Sequence, residues 1–331
     1  MAGTIPTKPR CLIIAVLVCA VTGVATAQDE FKLEKGDWKK KTVVDPASPE
    51  GELQAVRRAI AEQQPKKATK LADAWIKKHA RHGSMVEARF LKAEALYAWG
   101  RFFEALYDYE HVIRYYAATE YFHRALEREF VIAKSFVEGR ERRLFGMRFR
   151  LGGFRWLPAE GEGEELLIRI QERSPGSELG EKASLLLGDQ YFKRAQMLNA
   201  IDAYDLFLIN YPRSVHREHV ILKLIRAHLA TFKGPRFDPT GLVEASQRIK
   251  QYKSEYPANA QKMGLDSILI RIEESIARKE LFTADWYERT GQKVSAKYIH
   301  ERVLRDHPQS AAAQEALRKL KGEKNRKAPG E

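Results

Sequence analysis

The sequence predicts an all-α protein, a right-handed α-solenoid of about six helix–turn–helix repeats, two of them carrying loop insertions. Three observations predict it. First, Ala200, Tyr204, Phe207 and Tyr211 stand at i, i+4, i+7 and i+11, one face of a helix. Pro212 stops that helix, because proline lacks the N–H that would continue it. Second, the pattern recurs: Ala200, Ala245 and Ala296 each stand 12 residues before Pro212, Pro257 and Pro308, and Ser214, Asn259 and Ser310 each stand two after. Ser and Asn in that place read as caps of the next helix. Third, Leu187, Gly188 and Tyr191 fall where a tetratricopeptide unit of about 34 residues carries its Leu, Gly and Tyr, and Tyr287 repeats the last of them. Gly188 and Ala200 are small enough for the two helices to approach closely. Such a unit cannot bury its apolar face alone, so it requires neighbours.

The chain begins with an export signal. Lys8 and Arg10 form a positive segment, residues 11–24 are apolar, and Ala25-Thr26-Ala27 is an A-x-A cleavage site. The apolar run is shorter than the roughly 20 residues a membrane span needs. Cleavage of residues 1–27 removes Cys11 and Cys19, the only two cysteines, and with them any disulfide, thiol nucleophile or cysteine metal site. Lipidation at Cys19 is the alternative. Val18 and Arg10, which precede the two cysteines, lack the small side chain that a lipidation site carries, so plain cleavage is favoured.

Residues 28–51 read as a flexible leader, with Lys39-Lys40-Lys41, Asp45-Pro46 and Ser48-Pro49 and no apolar period. Residues 52–180 hold the N-terminal repeats. The first is degenerate: Ala68, Leu71, Ala72, Trp75 and Ile76 make an apolar face behind Lys66, Lys67, Lys70, Lys77 and Lys78. In the second, Gly100 divides two helices and Ala105 takes the small position. The third starts at Tyr121 and is broken by an insertion over residues 139–163 before a helix that ends at Pro175, with Gly163 in the small position. Residues 181–320 hold repeats four to six. Repeat five is interrupted by FKGPRFDPT at 232–240, and repeat six has a long first helix with Gly291 at its turn. Residues 321–331 read as a disordered polar tail.

AIDAYDLFLINYPRS (200–214), SQRIKQYKSEYPANA (246–260), ELFTADWYERTGQKVSAKYIHERVLRDHPQS (280–310) and the FKGPRFDP break resemble the BamD-like outer-membrane protein assembly factors, mainly over residues 181–315. The resemblance implies a periplasmic chain associated with the outer membrane. It also implies a non-catalytic scaffold that binds envelope proteins, a β-barrel assembly protein among them. A periplasmic adaptor for cell division or peptidoglycan synthesis shares the fold and is the alternative; an envelope hydrolase is the third.

The insertion reads GRERRLFGMRFRLGGFRWLP over 139–158. Arg140, Arg142, Arg143, Arg148, Phe149, Arg150, Phe154, Arg155 and Trp156 are the candidate partner-binding residues. Arginine forks pair with carboxylates or phosphates and aromatics supply buried anchors. A peripheral contact with an anionic membrane surface is also open to them. The competing reading packs the aromatics onto the solenoid and leaves the arginines solvated. With a formal net charge of +13 on the full sequence, arginine among aromatics also suggests nucleic acid, but an exported chain rarely meets any. His79 with His82 and His216 with His219 stand at i, i+3 without a third ligand, and read as surface or capping residues. No nucleophile elbow, phosphate loop or zinc motif occurs, so the sequence predicts no catalytic residues, cofactor, metal or small-molecule substrate.

Overall fold

The computed structural model describes residues 31–34, 37–40, 45–139 and 160–326. The chain divides into two compact units, residues 1–51 and 52–331. Among the described residues are fourteen helices and one antiparallel hairpin. The helices pair in sequence order: α1 (Pro49–Ala61) with α2 (Pro65–Lys78), α3 (Met85–Ala98) with α4 (Phe102–Tyr115), α5 (Glu120–Val137) with α6 (Glu160–Arg173), and α7 (Glu178–Lys193) with α8 (Met197–Asn210). Then come α9 (Arg217–Thr231) with α10 (Thr240–Glu255), a short α11 (Pro257–Lys262), α12 (Leu265–Arg289) with α13 (Lys293–Asp306), and a last helix α14 (Ala311–Arg326). This is the α-solenoid of tetratricopeptide repeats that the spacing predicts, with the chain interrupted between α5 and α6 and between α9 and α10.

Packing follows from the small positions. Ala68, Ala105, Ala200, Ala245 and Ala296 all lie near the starts of second helices and are fully buried. Gly163 occupies the same place in α6. A Cβ there would meet Val137 Cγ1 at 2.8 Å and the Ala133 carbonyl oxygen at 3.0 Å. Gly163→Ala therefore sets a helix-propensity gain of about 1 kcal/mol against overpacking of about 1–3 kcal/mol. A backbone carbonyl cannot rotate aside, so we expect net destabilisation, read as a lower urea midpoint.

The core is a string of clusters. Leu53 of α1, Trp75 of α2 and Ala88 of α3 form one. Phe90, Tyr109, Phe136, Leu167 and Ile170 belong to the next, and Tyr204, Phe207, Leu224, Ile249 and Tyr252 to the one after. Ala312, Ala313 and Ala316 of α14 close the last against Leu281 and Val303. A repeat array buries its apolar surface between neighbours in this way, and a final helix covers the exposed end. The backbones of consecutive first helices approach closely (α3 with α5, α5 with α7, α7 with α9), whereas consecutive second helices stand further apart and meet through long side chains, Arg173 of α6 on Glu110 of α4 and Arg248 of α10 on Asp205 of α8. The first helices thus line the inner face of the repeats and the second helices the outer one.

A polar triad recurs between the repeats. Tyr109 donates to Glu94 at 2.5 Å, and Arg128 clasps the same carboxylate through Nε at 2.8 Å and Nη2 at 2.7 Å. Tyr204 donates to Asp189 at 2.7 Å, with Lys223 Nζ 3.9 Å from it. In the last repeat Lys319 pairs with Asp285, and His300 stands in the tyrosine position. Each carboxylate lies 15 residues before the ring and 34 before the cation. One first helix, its own second helix and the next first helix are thereby joined. A buried phenol needs a hydrogen-bond partner, and this arrangement supplies it at a fixed register.

Four local features differ from the sequence reading. Residues 28–51, read as a flexible leader, contain a hairpin of β1 (Phe31–Glu34) and β2 (Asp37–Lys40), with Leu33 opposite Trp38. Helix α14 continues to Arg326, past the expected tail boundary, because Lys, Glu and Arg favour helix. Of the expected caps, Ser310 Oγ accepts from the Ala313 N–H at 3.0 Å as foreseen, but Ser214 lies outside α9 and accepts from the His216 N–H at 2.9 Å. Asn259 lies inside α11, whose first residue is Pro257, and donates to Glu218 at 2.6 Å.

Candidate docking site

The nine residues proposed from sequence, Arg140, Arg142, Arg143, Arg148, Phe149, Arg150, Phe154, Arg155 and Trp156, lie outside the described residues. The structure does describe the base from which they emerge. Helix α5 ends at Val137, followed by Gly139 at φ +101°, a backbone region that favours glycine. Helix α6 returns through Gly163, pressed on Val137 and Phe136. Arg194 of the next repeat ties both sides together, pairing with Glu164 and donating to the Val137 carbonyl at 3.2 Å. The two ends of the insertion are held at one fixed point between α5, α6 and α7.

An open pocket of about 800 Å³ lies beside α4, lined by Arg89, Tyr107, Glu110, His111, Arg114 and Tyr115 among others. Tyr107 is 70% exposed and Tyr115 66%. Behind them runs a charged network. Asp108, almost wholly buried, takes Arg89 at 2.8 Å and Lys92 at 3.1 Å, and Lys92 reaches Asp73 at 3.0 Å. Burial alone would lower the Lys92 pKa, but Asp108 and Asp73 outweigh it and hold the ammonium above its ordinary value. Arg173 of α6 clasps Glu110 at 2.6 and 2.7 Å, and Arg114 adds a contact at 3.0 Å. Burial pushes Glu110 up, yet the two arginines together hold it below the usual carboxylate range. Burial also holds the His111 imidazolium below its ordinary pKa, and Arg89 beside it works in the same direction. Arg89 Nε and His111 Nδ1 are buried without a hydrogen-bond partner.

Glu129 of α5 completes this network. It is 1% exposed, and Arg173, the arginine that reaches it among the described residues, spends both terminal nitrogens on Glu110 and stands 3.4 Å away. Burial therefore wins, and the Glu129 carboxyl is pushed up to about 8.

The histidine pairs behave as surface and capping groups. His79 meets Glu52 at 2.9 Å, His82 accepts from the Ser84 N–H at 3.1 Å, His216 sits at the start of α9, and His219 lies 3.8 Å from Asp189. One group with metal-like spacing occurs among the described residues: Asp285, Glu288 and His300, with ligand atoms within 4.8 Å of one another. Lys319 pairs with Asp285 and stands 3.9 Å from Glu288, so its ammonium already answers the acidic pair.

Sequence reasoning missed the Glu110–Arg173 pair, whose partners are 63 residues apart with the insertion between them. It could have found the triads, because Glu94, Asp189 and Asp285 each precede an aromatic ring or imidazole by 15 residues and a cation by 34.

Among solved structures the chain is similar to PilW, a widely conserved type IV pilus biogenesis factor, at 14% identity and a TM-score of 0.28, over 81% of this chain and 98% of that one. A tetratricopeptide repeat protein from Parabacteroides merdae matches at 12% identity and a TM-score of 0.36, over 82% and 97%. A thermophilic tetratricopeptide protein of Thermus thermophilus matches at 14% and 0.28, over 67% and 100%. A search of curated proteins finds no match. The YfiO family, described as outer membrane lipoprotein, matches residues 162–329, half of the chain and the whole of repeats four to six. On that match the chain belongs to the YfiO family of outer membrane lipoproteins.

Proposed function

We propose that this protein is a non-catalytic periplasmic scaffold that binds envelope proteins, acting in outer-membrane β-barrel assembly. The family match over residues 162–329 carries this reading. The repeat architecture supports it: stacked repeats offer long surfaces for recognition and no deep enclosed site for a small substrate. No helix among the described residues is long and apolar enough to cross a membrane. Partners would meet the inner face of the first helices and the arginine- and aromatic-rich insertion. The clamped base favours a docking loop, since a loop held at both ends loses less entropy on binding.

Deletion of residues 140–157 tests the role of the insertion. We expect unchanged helicity and an unchanged melting temperature, because α5, α6 and α7 pack on one another, together with at least about tenfold weaker capture of partners. Loss of stability with unchanged capture would instead mean that the aromatics belong to the core.

A further inference from the structure

We propose that the outer face of α2 is a membrane-contact surface for anionic phospholipid. The surface lies in repeat one, outside the family-matched residues, and it does not depend on which protein partner the scaffold binds.

Helix α2 is sharply divided. Ala68, Thr69, Ala72 and Trp75 are buried. Lys66, Lys67, Lys70, Ala74, Lys77 and Lys78 are exposed. At about 100° per residue these six fall within roughly 120° of arc, and Lys66 to Lys78 span about 18 Å. The single acid of the helix, Asp73, lies at the edge of that arc and is taken by Lys92 of α3 at 3.0 Å. Lys78 pairs with Glu52 at 2.5 Å, and Lys66 lies over the Trp99 ring at 5.6 Å. Lys67, Lys70 and Lys77 have no carboxylate partner among the described residues. Exposed Arg81 extends the row just beyond the helix.

The chemistry selects the occupant. A protein partner is held by aromatic or arginine anchors in pockets, whereas the exposed arc of α2 itself presents lysines with Ala74 between them. Lysine is a hydrated point charge rather than a bidentate fork. A flat row of such charges suits a diffuse negative field, and an anionic bilayer provides one. The chain belongs to a family of outer membrane lipoproteins, so a bilayer surface is at hand.

The test is co-sedimentation of the full chain with large vesicles of phosphatidylglycerol and phosphatidylcholine, and with phosphatidylcholine alone. The expected result is binding to the anionic vesicles only. Lys67→Glu/Lys70→Glu/Lys77→Glu should weaken it on the order of 100-fold. Raising salt from about 0.1 M to 1 M should release the protein. A control with Lys193→Glu/Lys250→Glu/Lys262→Glu, the same charge change on other exposed sites, should keep most of the binding. The three Lys→Gln changes provide a milder variant, with circular dichroism to verify folding. Equal binding to neutral vesicles, equal loss in the control, or binding of soluble polyglutamate without vesicles would each overturn the proposal. None of these outcomes bears on barrel assembly, which is read out by protein capture.

Discussion

Tyr204→Ala is expected to cost about 3–5 kcal/mol, as for other fully buried aromatic rings. Tyr204 is fully buried, and its ring fills the space that Gly188 leaves open: a Cβ on Gly188 would lie 2.6 Å from Tyr204 Cε1. Its hydroxyl donates to Asp189 at 2.7 Å, and burial followed by that carboxylate holds the phenol proton well above its ordinary pKa. Tyr204→Phe should cost only about 1 kcal/mol, because it removes the hydrogen bond and leaves the packing. The pair offers a sharper check. Gly188→Ala should be destabilising in the native chain and close to neutral, or favourable, in the Tyr204→Ala background, since the ring that it strikes is gone. Urea unfolding of the four proteins measures this coupling. Additive costs would mean that the close approach of α7 and α8 does not depend on this contact.

The contribution of Glu129 to stability should fall as pH rises from about 4.5 to about 8, and Glu129→Gln should remove that fall. The Glu129 carboxyl is raised from its ordinary 4.5 to about 8, so in this window the folded state holds a proton that the unfolded chain releases. The contribution is fully present below the unfolded value and lost as pH passes through the folded one. Its slope approaches about 1.4 kcal/mol per pH unit at most. Glu110, held low by its arginines, acts in the opposite sense at lower pH and is common to both proteins. The difference between native and Glu129→Gln melting curves therefore isolates Glu129. We expect the two to coincide near pH 4 and the variant to be the more stable at pH 8, by an amount on the order of a few kcal/mol. Parallel curves at all pH values would show that Arg173 compensates the buried carboxylate.

Much of the fold was legible because a repeat prints its packing at fixed intervals. Ala105, Ala200, Ala245 and Ala296 announce close helix pairs, and Pro212 and Pro308 announce helix ends, wherever the interval is intact. Where the interval is broken, so is the signal. Asn259 kept the offset of a cap, yet Pro257 starts the extra helix α11 and turns that asparagine toward Glu218 instead. Gly163 holds the small position, and its meaning emerged only when Val137, on the far side of the insertion, was seen against it. The site was less legible for a related reason. Arginine and aromatic residues at 140–156 mark a docking composition, but a charged network such as Asp108 with Arg89 and Lys92, or Glu129 with Arg173, is assembled from several helices and has no local motif. The triads fall between these cases. They have a strict interval of 15 and 34 residues, but their residue types vary between Glu and Asp, Tyr and His, Arg and Lys.

The proposed role is that of a scaffold for outer-membrane β-barrel assembly. Affinity purification of the tagged protein from solubilised membranes, with mass spectrometry of what it captures and of its own N-terminus, tests that claim most directly. The expected result is stoichiometric recovery of an outer-membrane β-barrel assembly protein, with the N-terminus distinguishing cleavage after Ala27 from lipidation at Cys19. Recovery of a peptidoglycan synthase or a cell-division protein in its place, with no barrel protein, would contradict it.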